Sequence, residues 1–163
     1  MRRTSATVGS ILFLVVAPGT VAGLLPFWLT GWRMVAGPLV LKLLGVLMIA
    51  GGLALLLECF GRFVAQGRGT PAPIAPPDRL VVSGAYRRVR NPMYVAVVAM
   101  ILGQAALLGD LGLVGYAALV WTTFHVFVLA YEEPTLRRSF PADYAAFFAA
   151  VPRWIPRRVP WRG

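Results

Sequence analysis

Cysteine, lysine and histidine are almost missing from this chain. Among 163 residues there is one Cys (Cys59), one Lys (Lys42) and one His (His125). A single thiol excludes an intramolecular disulfide and a cysteine-built metal centre, so no metal site is read from the sequence. Charge is scarce too. Charged residues make up 13% and hydrophobic ones 58%, whereas ordinary soluble domains carry about 25% and about one half. That balance excludes a soluble globular enzyme. A glycine-rich βαβ fingerprint is also lacking, which removes a soluble Rossmann-type nucleotide-binding enzyme.

What the chain has instead is long apolar runs. Four of them, 8–29, 37–57, 92–109 and 111–131, each reach the roughly 17–25 residues that a helix needs to cross hydrocarbon. The first follows Met1-Arg2-Arg3 but stays apolar through Phe27, Trp28 and Leu29, beyond the ~7–15 residues of a secretory signal core, and reads as a retained span. The net charge is +10, and placing the N-terminus in the cytoplasm collects fourteen of the sixteen basic residues on one face, leaving Arg33 and Lys42 opposite. The positive-inside rule therefore selects four spans with both termini cytoplasmic. Any single arginine is equally a topology signal or a lipid-headgroup contact, and no nucleic-acid partner is called for. Fifteen arginines against one lysine, with abundant Ala, Gly and Pro, fit a GC-rich prokaryotic genome and hence a cell (inner) membrane.

The expected fold is an all-α integral membrane protein of about four transmembrane helices, with a C-terminal helical hairpin and a cytoplasmic amphipathic C-terminal helix. It is one membrane domain over 1–163, with two N-terminal spans in 1–60 and a cytoplasmic loop at 61–91. The hairpin occupies 92–131 and the amphipathic segment 132–163. Within the loop, Gly-Arg-Gly-Thr and Pro71, Pro73, Pro76 and Pro77 forbid a continuous helix. The segment "RLVVSGAY" reads as a short extended piece and a turn. "GDLG" joins the last two spans, and the small residues Ala96, Ala99, Gly103, Ala106, Gly112, Gly115 and Ala118 would let the hairpin helices approach closely. In the C-terminal segment Leu136, Phe140, Tyr144, Phe147 and Phe148 share a helical spacing interrupted by Pro141. This describes a helix lying on the leaflet or folding back over the bundle. Trp154 and Trp161 beside arginines fit an interfacial belt.

Chemistry concentrates at two places. In "GAYRRVRNPMY", Asn91-Pro92 is a helix start, with asparagine capping the free amides and proline in the first turn, where its missing donor costs nothing. The same amides beside Arg87, Arg88 and Arg90 also suit an anion. In "YEEP", Glu132 and Glu133 at a helix C-terminus oppose the macrodipole and need cations or a ligand. The hairpin brings them to the arginine-rich entry, where an ion-pair cluster and a ligand site are both open readings. His125 lies two turns before Glu132, either functional or bonded to Thr122 or Tyr116. Glu58 and Arg62, one turn apart, form an intrahelical pair or face the same cavity.

Residues 80–156 resemble the isoprenylcysteine carboxyl methyltransferase family and the related phospholipid N-methyltransferases. Gly84 and Tyr86 match the opening Gly-x-Tyr, Arg90, Pro92 and Tyr94 the Arg-His-Pro-x-Tyr group, and Glu132, Glu133 and Leu136 the Glu-Glu-x-x-Leu group. Phe140, Tyr144, Val151, Pro152 and Arg153 continue the pattern. Asn91 stands where many members have histidine, Pro141 where glycine is common and Phe147 where a second tyrosine is usual. Asparagine does not titrate near neutrality, so a ligand-holding role is what the change preserves.

The resemblance implies S-adenosylmethionine as methyl donor, bound on the cytoplasmic side, with a lipophilic acceptor entering from the bilayer. It points to Glu132 and Arg153 as catalytic, and to Tyr86, Arg90, Asn91, Pro92, Tyr94, His125, Glu132, Glu133 and Tyr144 as donor-binding. Two other classes stay open: an NADPH-dependent membrane reductase of the sterol or isoprenoid type, and a non-catalytic membrane binding subunit, for which the absent histidine speaks.

Overall fold

The computed structural model describes residues 3–67 and 80–162, and these are helical apart from connecting turns and the C-terminal tail. The proline-rich run, with the Arg-Gly-Thr before it, lies outside the described residues. Three helical stretches are long and apolar enough to cross a membrane: Ile11–Thr30, Leu39–Ala65 and Gly112–Ser139. A further apolar helix, Pro92–Leu108, has 17 residues, about 26 Å at the α-helical rise and a little short of the ~30 Å hydrocarbon core. Its length is set at both ends. Pro92 opens it, and Gly109, in the left-handed region at φ 73°, closes it with its amide on the Ala105 carbonyl.

The first span is not one regular helix. α1 (Arg3–Gly19) passes through a π-helical turn, Thr20–Leu24, into α2 (Leu25–Thr30). Pro26 explains the turn, because its missing amide frees the carbonyl four residues back; Leu25 N–H then reaches Thr20 O, one residue further than the α register. The carbonyls at this break are taken up by side chains. Gln104 Nε2 donates to Ala22 O at 2.7 Å and Tyr116 Oη to Val21 O at 2.8 Å, so the irregular turn supplies polar ties between the first span and the hairpin, beside the stacking of Phe13 on Phe60. Gln104 is buried, and its Oε1 accepts from Trp32 Nε1 at 3.3 Å.

α3 (Leu39–Arg62) continues in a π-helical turn through Gly67 and packs most closely on α4 (Pro92–Leu108). Glycine makes this possible. A Cβ on Gly45 would lie 2.5 Å from Gly103 O, one on Gly103 2.8 Å from Gly45 O, and one on Gly52 2.9 Å from Ala96 O. Gly103 and the backbone at Ala96 therefore serve the contact with α3, and Ala96 also belongs to a buried cluster with Ala117 and Val120 of the hairpin. Gly115 was expected to pack within the hairpin, yet a Cβ there would meet nothing within 4 Å. α4 and α5 (Gly112–Phe127) are joined by a turn in which Asp110 Oδ1 accepts the amides of Gly112 at 2.7 Å and Leu113 at 3.3 Å.

The last long helix does not stop at Tyr131. A π-helical turn, Val128–Glu132, forced two residues before Pro134 in the same way as at Pro26, leads into α6 (Glu133–Ser139), and Glu133 N–H bonds Val128 O. Phe140 leaves the helical region, and α7 (Pro141–Ala150) turns back. Its buried side chains Tyr144 and Phe147, with Val151, pack against Leu80, Val82, Leu136 and Trp161, so this segment folds back over the chain. The tail then runs antiparallel along 87–91: Arg90 N donates to Pro152 O, Arg157 N to Arg88 O and Trp161 N to Arg87 O, all at 2.8–2.9 Å.

Candidate functional site

The three arginines at the entry of α4 divide their tasks. Arg88 Nη1 donates to Arg158 O at 2.7 Å, and Arg87 Nε to Trp161 O, so these two fasten the C-terminal tail. Arg90 turns inward. Its side chain is 8% exposed, its Nη1 lies 3.3 Å from Glu133 Oε1, and its guanidinium carbon sits 4.0 Å over the Phe148 ring. Phe148 carries Arg137 at 4.2 Å as well.

Glu133 is the hub. Buried at 7% exposure, it accepts Arg153 Nε at 2.7 Å and Arg153 Nη2 at 3.1 Å, a bidentate pair, while Arg90 approaches the same oxygen. A bidentate guanidinium–carboxylate contact is among the stronger polar interactions available to a protein, and it raises the Arg153 pKa further, keeping that side chain charged. Glu133 thus takes its compensation from two cations brought by different segments, although the helix continues through α6 and the glutamates are not at its C-terminus. Two positive charges share one carboxylate here, and the buried Arg90 atoms Nε and Nη1 make no hydrogen bond. Buried, unspent guanidinium donors are costly and seldom left so.

The other carboxylate is held separately. Tyr94 Oη donates to Glu132 Oε2 at 2.8 Å. The extra residue of the π-helical turn shifts both glutamates round the helix relative to a regular continuation of α5, and neighbouring helical residues point about 100° apart, so the two reach different partners.

Asn91 does not cap α4 with its side chain. Its Nδ2 donates instead to Arg153 O at 3.2 Å, tying the helix start to the residue that grips Glu133. Pro92 is fully buried in the first turn. Tyr144, 2% exposed, has its phenol pKa raised chiefly by burial, with Glu133 adding to the effect and Arg90 opposing it. Tyr86 adjoins from the α3 side: it packs in a cluster with Cys59 and Val81, edge-on to Phe63 at 5.8 Å, and burial holds its phenol well above the ordinary range.

His125 bonds neither Thr122 nor Tyr116, whose hydroxyls donate to Ala118 O and Val21 O. Its Nδ1 accepts from Trp154 Nε1 at 3.0 Å. Trp154 therefore sits in an aromatic group with Trp121 and Tyr94. Glu58 and Arg62 do pair, at 2.6 Å.

The structure thus gathers Arg90, Asn91, Tyr94, Glu132, Glu133, Tyr144 and Arg153, with His125 attached through Trp154. Sequence reasoning missed Gln104, Phe148 as the plate under Arg90, and the Trp154–His125 bond. Trp154 follows Arg153 directly, and that adjacency was the available signal. A cleft of about 820 Å³ lies nearby, walled by Arg62, Gly84, Arg87 and Trp161 among others. None of the clustered residues lines it.

Comparison with known proteins links the chain to a family and to a relative. A family model described as phospholipid methyltransferase matches residues 40–143, more than half of the chain; it includes Arg90 and both glutamates and stops short of Tyr144 and Arg153. The cobalt-zinc-cadmium resistance protein CzcN of Cupriavidus metallidurans is 32% identical over 86 residues, a match covering 53% of this chain. The matched part spans only 39% of that protein's length.

Proposed function

The chain belongs to the phospholipid methyltransferase family, and from that premise we propose that it is a membrane-embedded methyltransferase. It takes its methyl group from S-adenosylmethionine and passes it to a lipophilic acceptor, an isoprenylcysteine-type carboxylate, a phospholipid amine or a similar group. The observation that carries this reading is Arg90, a guanidinium more than nine-tenths buried whose Nη1 is ion-paired with Glu133 and whose Nε has no hydrogen-bond partner, placed beside two carboxylates. This donor set fits the methyl donor. Arg90 would hold its carboxylate, Glu132 its ammonium or ribose hydroxyls, and the aromatic wall at Tyr94 its base.

When bound, S-adenosylmethionine supplies an activated sulfonium methyl group, so the protein's task is alignment and exclusion of water more than proton transfer. Glu133 holds Arg90 and Arg153 in place, Asn91 anchors the backbone at Arg153, and Tyr94 orients Glu132. The folded-back α7 and tail cover the cluster. Asn91 in place of the motif histidine fits a site that works by positioning.

The finer reading places four spans in the bilayer, α4 included, with both termini and the charge cluster on the cytoplasmic side of a prokaryotic inner membrane. The fifteen arginines and the single lysine support that side, since the positive-inside rule groups fourteen of them there. Within the family, the Arg-x-Pro-x-Tyr and Glu-Glu-x-x-Leu spacing favours an isoprenylcysteine carboxyl methyltransferase-like member. The test is incubation of the nanodisc-embedded protein with methyl-tritiated S-adenosylmethionine and a bacterial lipid extract. Label is expected in the chloroform phase, and Glu132→Gln is expected to abolish most of it; equal label with wild type and variant would remove Glu132 from the site.

A further inference from the structure

We propose that His125 receives the polar end of the lipophilic acceptor, as a neutral imidazole whose Nε2–H donates to an oxygen on that end. This rests on the methyltransferase reading and moves His125 from the donor to the acceptor side of the site.

The tautomer follows from the partner. Indole nitrogen is a donor only, and Trp154 Nε1 lies 3.0 Å from His125 Nδ1. Nδ1 must therefore offer its lone pair, and the ring proton sits on Nε2. That second N–H has no hydrogen-bond partner among the described residues. Nor is it walled in, because among the described residues the buried unpartnered side-chain atoms are those of Arg90 alone. A donor left unpaired in hydrocarbon is expensive, and a histidine within a span is a functional candidate for that reason. Its partner comes from outside the described residues.

Position identifies that partner. On one side His125 stacks on Trp121, with ring centroids 5.1 Å apart and planes at 18°. Trp121 is 42% exposed and lies on the flank of its helix, between the packed Ala117 and Val120 and the more exposed Leu119 and Val126 that a spanning helix turns to lipid. On the other side Trp154 lies 6.4 Å from Tyr94, and Tyr94 bonds Glu132. Trp121, His125, Trp154 and Tyr94 therefore form a continuous row of contacting side chains from the half-exposed Trp121 to the Glu132 carboxylate, with the His125 donor near its outer end. A free N–H selects for lone pairs. An amphiphile ending in a carboxylate, phosphate or other oxygen fits, and one ending in an ammonium does not.

Because His125 is the chain's single histidine, a protein labelled with nitrogen-15 histidine in maltoside micelles reports on this ring alone. The expected resting spectrum shows Nδ1 unprotonated and Nε2 protonated. Titration with oleate at neutral pH should shift the Nε2–H signal saturably, and oleylammonium should not. Trp154→Phe, which keeps a ring and removes the donor, should mix the tautomers and weaken the oleate response about three- to tenfold, the worth of one hydrogen bond. Should that variant not fold, the wild-type spectrum decides by itself. A resting Nδ1–H tautomer, no oleate shift, or equal shifts with both amphiphiles overturns the proposal. Titrating S-adenosylhomocysteine into the same sample tests the donor reading separately: its failure would sink the methyltransferase assignment and leave the histidine result to stand or fall alone.

Discussion

Glu133 and Arg153 meet through two parallel hydrogen bonds, at 2.7 and 3.1 Å, although twenty residues separate them. This contact closes the C-terminal tail onto the end of the last long helix, and Arg90 shares the same carboxylate from the start of α4. Three segments of the chain are joined at one buried charge.

Removing that charge while keeping its shape leaves two guanidiniums without their anion. Glu133→Gln should destabilise the protein by about 3–5 kcal/mol, the usual penalty for breaking a buried ion pair from one side. Thermal unfolding in detergent, followed by circular dichroism, measures it. A change within experimental scatter would mean that the arginines find solvent or lipid partners instead.

Tyr94→Phe removes only the hydroxyl that donates to Glu132 at 2.8 Å. A hydrogen bond to a charged group is worth about 1.5–3 kcal/mol, so S-adenosylhomocysteine affinity should fall roughly 10–100-fold with the fold intact. Calorimetry on the variant reads this, and unchanged affinity would detach Tyr94 and Glu132 from donor binding.

The packing of α3 on α4 gives two glycines of the same helix opposite tolerance to a methyl group. Gly45→Ala places a methyl 2.5 Å from Gly103 O and 2.7 Å from Leu107 N, both backbone atoms that cannot rotate away. A loss of about 1–3 kcal/mol is expected for such overpacking. Gly51→Ala meets nothing within 4 Å and should be neutral or slightly stabilising, by up to about 1 kcal/mol. Paired unfolding curves of the two variants check the difference.

Gly84 is at φ 56°, where a side chain costs about 1–2 kcal/mol, and a Cβ there would collide with Glu58 Oε1 and Arg62 Nε. Gly84→Ala should therefore break the Glu58–Arg62 pair and lower the melting temperature. A Gly84→Ala protein of wild-type stability would show that the 84–87 turn is free to move off α3.

Much of this was legible beforehand, for a physical reason: apolar run length and arginine asymmetry report on the bilayer directly, and motif spacing brings Arg90 and the glutamates to one end of a hairpin. What escaped was tertiary. Asn91 has the chemistry of a cap, yet its side chain is turned so that Nδ2 donates to Arg153 O and Oδ1 caps no amide of α4. The glycines that mattered belong to α3 as much as to α4, and periodicity within one helix does not say which neighbour it meets. Pro26 and Pro134 were visible, but not that the turns before them widen to π geometry and shift the helix face that follows. His125 looked aligned with Glu132 by regular helical spacing, and the same turn breaks that alignment.

The most direct measurement is calorimetric titration of S-adenosylhomocysteine into the purified full-length protein, with Arg90→Ala and NADPH as paired controls. The account predicts saturable one-site binding to the wild type, strong weakening by Arg90→Ala, and no saturable heat with NADPH. Folded protein that ignores S-adenosylhomocysteine, or that binds NADPH without competition from it, would contradict the account.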